Sequence, residues 1–211
     1  AFAASEDEIE INDLSLMANR GGRPFTAGPL LNVYNSESLS VLVERGCRRL
    51  CANIELSLDA LGNISRQHPG LDLEIFAFGR LPLALSGRCY HARAEGLHKD
   101  ACRYVCDLDP NGRHVSTLDG TEFLAVNGIQ TLSWGVQTLT HSVQALKQAG
   151  VSALRLSPQA GDMAKVIAAY HAFTDEHESL SDLHKRLAQA ALPGPLIGGY
   201  WLGQPGAKAV G

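Results

Sequence analysis

Apolar positions along this chain follow two periods that alternate with one another. Glu8–Asp13 (EIEIND) switches between polar and branched aliphatic residues with period two, the pattern of a strand with one buried face. Leu30–Tyr34 (LLNVY) is a short apolar run. Ser36 then stands as an N-cap before Leu39, Leu42 and Val43, which share one helical face, and Gly46 follows as a stop. The unit repeats with strand Arg49–Ile54, N-cap Ser57, helical face Leu58, Leu61 and Ile64, and a stop at Pro69-Gly70. Asp72–Phe78 is the next strand. Between Gly79 and Gly135 the alternation breaks, leaving a turn at Pro110-Asn111-Gly112 and a strand-like piece at Glu122–Val126. It resumes with helix Thr138–Ala149 (Leu139, Val143, Leu146), stop Gly150 and strand Val151–Ser157. Asp162 caps a helix carrying Val166, Ile167, Tyr170 and Phe173, and a polar helix over Ser181–Ala191 precedes a Gly/Pro-rich tail.

Strand–helix repeats with glycine at helix ends predict an α/β fold with a parallel sheet covered by helices. Short strands without a polar face fit a barrel better than a half-exposed sheet. Five clear strands are fewer than the eight of a full (β/α) barrel. The expected architecture is therefore a TIM-like (β/α) barrel, incomplete at the N-terminus. Residues 1–211 form a single domain, about the C-terminal two-thirds of a barrel, with a cysteine-bearing insertion over 79–135. The runner-up is an open α/β sheet. The opening AFAASEDEIE has neither an initiating Met nor a basic n-region, which suggests a fragment or processed product.

Composition narrows the function classes. The chain has 211 residues, 45% of them hydrophobic, and a formal net charge of −4, which weighs against general nucleic-acid binding. The stretch Arg80–Arg113 leans the other way, with six Lys/Arg against four Asp/Glu. No apolar run reaches the roughly 18 residues of a membrane span. Five cysteines are an odd number at low density, which points to a reducing, cytoplasmic setting rather than a disulfide scaffold. Three of them, Cys89, Cys102 and Cys106, share the glycine-punctuated stretch. Soft thiolates on irregular backbone suit zinc or an iron–sulfur cluster. His91, His98 and His114 lie close enough in sequence to complete a Cys3His zinc site.

The run LEIFAFGRLPLALSGRC resembles the signature of the collagenase-like peptidase family. Glu74, Phe76, Gly79, Leu81, Gly87 and Cys89 match in register, while Arg80 and Pro82 replace a small residue and a cysteine. Those departures, with Cys102, Cys106, VNGIQTLS and the tail PLIGGYWLGQPG, look like the UbiV branch of the family. The resemblance implies a [4Fe–4S] cluster with Cys89, Cys102 and Cys106 as three of its iron ligands and a fourth not identified in this chain. It also implies a homologous UbiU-like partner subunit, quinone-pathway proteins as associates, and a role in oxygen-independent hydroxylation in ubiquinone biosynthesis. Alternatives are a peptidase, an RNA-base hydroxylation factor of the same family, and a zinc-stabilised non-catalytic partner module.

Other residues read more simply. Cys47 and Cys51 share strand parity and suit wall or core thiols. Arg155, in a strand, needs an acidic partner or an anionic ligand, and Glu55 is a candidate partner near a strand end. Arg88, Arg93 and Arg103 flank the cysteines and would tune a cluster, or are solvated loop charges. Trp134 and Trp201 read as packing residues, and His141, His171 and His177 as surface. SPQAG at Ser157–Gly161 offers an anion site at a helix N-terminus. The chain has no P-loop and no HExxH.

Overall fold

The structure, a computed structural model, describes residues 8–98 and 101–210. In chain order the elements are β1 (Glu10–Ile11), β2 (Phe25–Ala27), α1 (Ser36–Glu44), β3 (Cys47–Cys51), α2 (Leu58–Gln67), β4 (Asp72–Leu85) and α3 (Tyr90–Ala94). There follow β5 (Arg113–Ser116), β6 (Glu122–Asn127), β7 (Gln130–Gln137), α4 (Val143–Gln148), β8 (Val151–Leu156), α5 (Met163–Thr174), α6 (Leu180–Ala188) and β9 (Leu196–Ile197). The chain divides into two compact units. The first holds the residues up to Ala77, His141–Leu156 and Tyr200–Gln204; the second holds Phe78–Thr140, Ser157–Gly199 and the residues from Pro205 on.

In the first unit β1, β2, β3 and the start of β4 pair in parallel, and β8 pairs with β4. Ile11, Phe25, Leu50, Leu73 and Ile75 bury one side of these strands against Leu39 of α1 and Leu61 of α2. Each such side chain contributes about 1.5–3 kcal/mol by leaving water. Local chemistry sets the helix ends. Ser57 caps α2 through Ala60 N–H, as expected, whereas α1 is capped by Asn35, one residue before the expected Ser36. Gly150 ends α4 at φ +82°, and a Cβ there would lie 2.0 Å from Ser65 Oγ, so only glycine fits.

The sheet of this unit curls. Glu10 on β1 and Arg155 on β8 are separated by three strands, or about 19 Å along a flat sheet at 4.8 Å per strand. Yet Arg155 Nη1 reaches Glu10 Oε1 at 3.3 Å. Their side chains therefore converge on the concave side, as inward-facing side chains of a barrel do.

The second unit is mostly antiparallel. β4 continues past Gly79, where the sequence predicted a break, and its outer half pairs with β7, which pairs with β6 and through it β5. β9 adds to β7 in parallel. Phe78, Val136, Leu139, Val166, Tyr170, Phe173, Leu183 and Leu187 form the core of this unit. Asp162 caps α5 as expected, and α6 starts at a capping box made by Ser179 and Asp182.

The protein is thus an α/β fold on a mixed sheet, and a closed eight-stranded barrel is not formed among the described residues. Two expected elements are corrected, and one strand lies where none was expected. Leu30–Tyr34 is not a strand: Pro29–Leu31 make a 3-10 turn ended by left-handed Asn32, and the strand here is Phe25–Ala27. The helix expected over Thr138–Ala149 starts only after Ser142, because β7 extends to Gln137 and Thr138–Leu139 pack in the second unit's core. Gln130–Gln137 itself was not foreseen as a strand. Among the described residues no helix is long and apolar enough to cross a membrane.

Candidate functional site

The three clustered cysteines lie on separate pieces of one irregular segment of the second unit. Cys89 is the N-cap of α3, and its Sγ accepts the Ala92 N–H at 3.4 Å. Cys102 is exposed, and its Sγ accepts the Tyr104 N–H at 3.4 Å. Cys106 is half-buried in the 3-10 turn Val105–Leu108. The donor chemistry and the accessibility of these thiols thus fit an iron–sulfur or zinc centre. Among the described residues no group of three or more His, Cys, Asp or Glu is gathered closely enough to hold a metal ion, and no fourth ligand stands out.

The histidines near them have other work. His91 is fully buried on α3, and its Nδ1 accepts the Gly128 N–H at 3.1 Å. Its Nε2 lies 3.1 Å from Asp109 Oδ2, although the N–H direction is off a linear hydrogen bond. Both ring nitrogens therefore face protein groups. His114 packs edge-on against Trp134 with centroids 4.3 Å apart, and His98 is exposed. Arg88, Arg93 and Arg103 are all exposed. Asp109 was missed by the sequence reading, although it opens the predicted Pro110-Asn111-Gly112 turn, which the Gly112 N–H closes onto the Asp109 carbonyl at 2.8 Å.

In the first unit a charged network occupies the concave side of the sheet. Arg155 binds Glu10 and Glu74, and Arg49 lies 3.4 Å from Glu8, 3.7 Å from Asp72 and 3.7 Å from Glu74. Glu10 is held below the usual carboxylate range, first by its hydrogen bond from Arg155. Glu55 is not the partner of Arg155: it accepts the Tyr34 hydroxyl proton at 2.7 Å. Burial, with help from Glu55, pushes that phenol up to about 12. The signal for Glu10 was its parity with Glu8 in the EIEI alternation; what sequence parity could not say is which strands face one another across a curled sheet.

Cys51 sits within this network, 1% exposed. Burial pushes its thiol up to about 12, and burial raises Cys47 as well. Both are thus inert thiols, matching the wall-thiol reading, and the sequence offers no basis for an activated nucleophile here. Alkylation with iodoacetamide near pH 8, close to the ordinary thiol range, is expected to label Cys102 rapidly and to leave Cys47 and Cys51 unlabelled until urea is added. Peptide mass spectrometry reads this directly.

The signature departures also have places. Pro82 is exposed on β4, with the ladder to β7 irregular on either side of it. Arg80 is buried at 3% exposure, donates Nη2–H to Pro193 O at 2.9 Å and lies over the Trp134 ring at 5.3 Å. Among the described residues its Nε and Nη1 have no hydrogen-bond partner, and burial pulls its pKa down. The helix N-terminus after SPQAG is already served by the Asp162 carboxylate, which accepts the Lys165 N–H at 3.1 Å, so no anion is needed there.

Comparison with known proteins places the chain. The model of peptidase family U32 matches residues 3–210. A stretch of 120 residues, 51% of the chain, is 29% identical to the tRNA hydroxylation protein P of Haemophilus influenzae, covering 26% of that protein. A stretch of 58 residues, 28% of the chain, is 40% identical to the tRNA hydroxylation protein P of Helicobacter pylori, covering 14% of it. The matched stretches thus span about a quarter or less of these curated relatives. No solved structure matches the chain.

Proposed function

The chain belongs to peptidase family U32, and on that premise we propose that it is an iron–sulfur protein serving an oxygen-independent hydroxylation. Cys89, Cys102 and Cys106 are its iron ligands, and it acts with a homologous UbiU-like subunit. The observation that carries the reading is the contrast among five thiols. Three are accessible, two of these accept backbone N–H groups, and the remaining two are sealed in the other unit with raised pKa values. A cluster bound there supplies one-electron transfer. The chain's own residues present the three sulfurs, and the exposed Arg88 and Arg93 would add positive charge that favours a reduced, more anionic centre.

The family name alone does not argue for peptidase action. The thiol that lies against charged partners, Cys51, is held protonated, the reverse of what a nucleophile needs. Between substrates, the Arg80/Pro82 departure favours a quinone ring. The second reading, hydroxylation of an RNA base, is favoured by the names of the two relatives.

The deciding experiment is anaerobic purification with iron, sulfide and zinc analysis and a visible spectrum, on the native chain and on Cys102→Ala. Matching iron and sulfide with broad visible absorption is expected in the native chain and lost in the variant. Stoichiometric zinc without colour would overturn the iron–sulfur reading in favour of a structural metal. Retention of tRNA that weakens steeply with salt, alongside the cluster, would move the substrate to RNA.

A further inference from the structure

We infer that His91 is the positioning residue of the cysteine segment, its ring setting the spacing of Cys89 and Cys106 by bridging the Gly128 N–H and the Asp109 carboxylate. This rests on the reading of those cysteines as a ligand set. His91 stands two residues beyond Cys89 on α3 and is 0% exposed. The Gly128 N–H donates to Nδ1 at 3.1 Å, which makes Nδ1 the ring's acceptor and leaves Nε2 to face the other way. Nε2 faces Asp109 Oδ2 at 3.1 Å. Asp109 in turn donates its backbone N–H to the Cys106 carbonyl at 3.1 Å. One imidazole thus joins the piece carrying Cys89 to the piece carrying Cys106.

The surroundings brace both ends. The turn between β6 and β7 grips the Cys89 side: the Tyr90 N–H donates to Gly128 O at 2.9 Å and the Ser86 N–H to Ile129 O at 2.8 Å. On the other side Arg113 Nε meets Asp109 Oδ2 at 3.3 Å, and its Nη2 meets Glu95 Oε1 at 3.0 Å. Cys102 lies between the two anchored pieces, exposed, on a stretch that His91 does not reach. The segment therefore carries two thiols on hydrogen-bonded turns and an exposed thiol between them. Holding Cys89 and Cys106 in place would lower the conformational entropy lost if the three sulfurs were to bind a soft metal.

The spacing is testable without any metal. In the full chain carrying Cys102→Ser, the short homobifunctional thiol reagent dibromobimane is expected to link Cys89 to Cys106, identified by peptide mapping. Adding His91→Ala is expected to lower that product about tenfold, because it removes both the acceptor of the Gly128 N–H and the ring that lies against the Asp109 carboxylate. Asp109→Asn, which keeps a polar group of the same shape against Nε2, is expected to hold the yield within about threefold, whereas Asp109→Leu falls as far as His91→Ala. Thermal melts separate this from unfolding: the Asp109 variants are expected to melt together while their cross-linking differs. Equal yields in all variants, or no Cys89–Cys106 product in the parent, would overturn the inference. Because the assay contains no iron, its failure leaves the iron–sulfur test standing, and failure of iron uptake leaves this spacing measurable.

Discussion

Phe78→Ala is expected to lower the stability of the second unit by about 4 kcal/mol, the range for emptying a buried aromatic site. Phe78 is 0% exposed and opens the core of that unit. Its ring meets Tyr170 edge-on, with centroids 5.9 Å apart at 68°. Tyr170 is itself buried, and its hydroxyl shares a hydrogen bond with Thr138 Oγ1 at 3.1 Å. That bond holds the tyrosine where it is, so the ring cannot slide into the space Phe78 vacates and the cavity persists. Phe78→Leu, which refills much of the volume, is expected to cost only about 1.5 kcal/mol. Urea titration followed by Trp134 emission, in a Trp201→Phe background, reads this unit. Equal midpoints for the Ala and Leu variants would show that the site collapses freely.

Arg155→Met carries the next largest effect, about 2 kcal/mol on the first unit at neutral pH. The figure sits below the range for fully buried pairs because both the Arg155 and Glu10 side chains are 31% exposed, and water screens them. Removing Arg155 takes the guanidinium away from Glu10, which keeps the Asn12 amide at 2.7 Å, and leaves Arg49 to face Glu8, Asp72 and Glu74. The effect depends on pH with a definite sign. The folded-state pKa of Glu10 is depressed below its ordinary 4.5, chiefly by Arg155. Its contribution is therefore fully present above that value and fades as pH falls through the depressed one. Native and variant midpoints should differ most at pH 7 and converge in acid. Trp201 emission in a Trp134→Phe background follows this unit, and a gap that widened in acid would refute the assignment.

Helix starts and stops were legible because their chemistry is local. Ser57, Asp162 and Gly150 each act within a few residues of themselves, and each stands where its neighbours predicted. The extension of β4 was not legible. Gly79 and Pro82 both argue against a strand, yet the ladder to β7 absorbs Pro82 between two irregularities in register. Strand β7 was hidden for a similar reason. Gly135 sits in its middle because a Cβ there would come within 2.4 Å of Ile197 Cγ2, so the residue that looks like a breaker is demanded by close packing from far along the chain. In the candidate site the three cysteines were visible through their family likeness. Asp109 and Gly128, which hold His91, were not, since nothing in sequence distance links positions 91, 109 and 128.

Leu58, at the start of α2, donates its N–H to the carbonyl of Trp201 at 3.2 Å, and Trp201 is buried at 6% exposure. Both belong to the first unit, whose members come from three separated stretches of chain. On a ribosome the N-terminal half of that unit is made long before Trp201 leaves the exit tunnel. Until then α2 lacks one of its terminal hydrogen-bond acceptors, and the space that the buried Trp201 fills stays open to water. The last step in completing the first unit is therefore set by synthesis of residues that follow almost the whole of the second. Ribosome-arrested chains stopped just before and just after Trp201 emerges should differ sharply in their resistance to protease around Leu58.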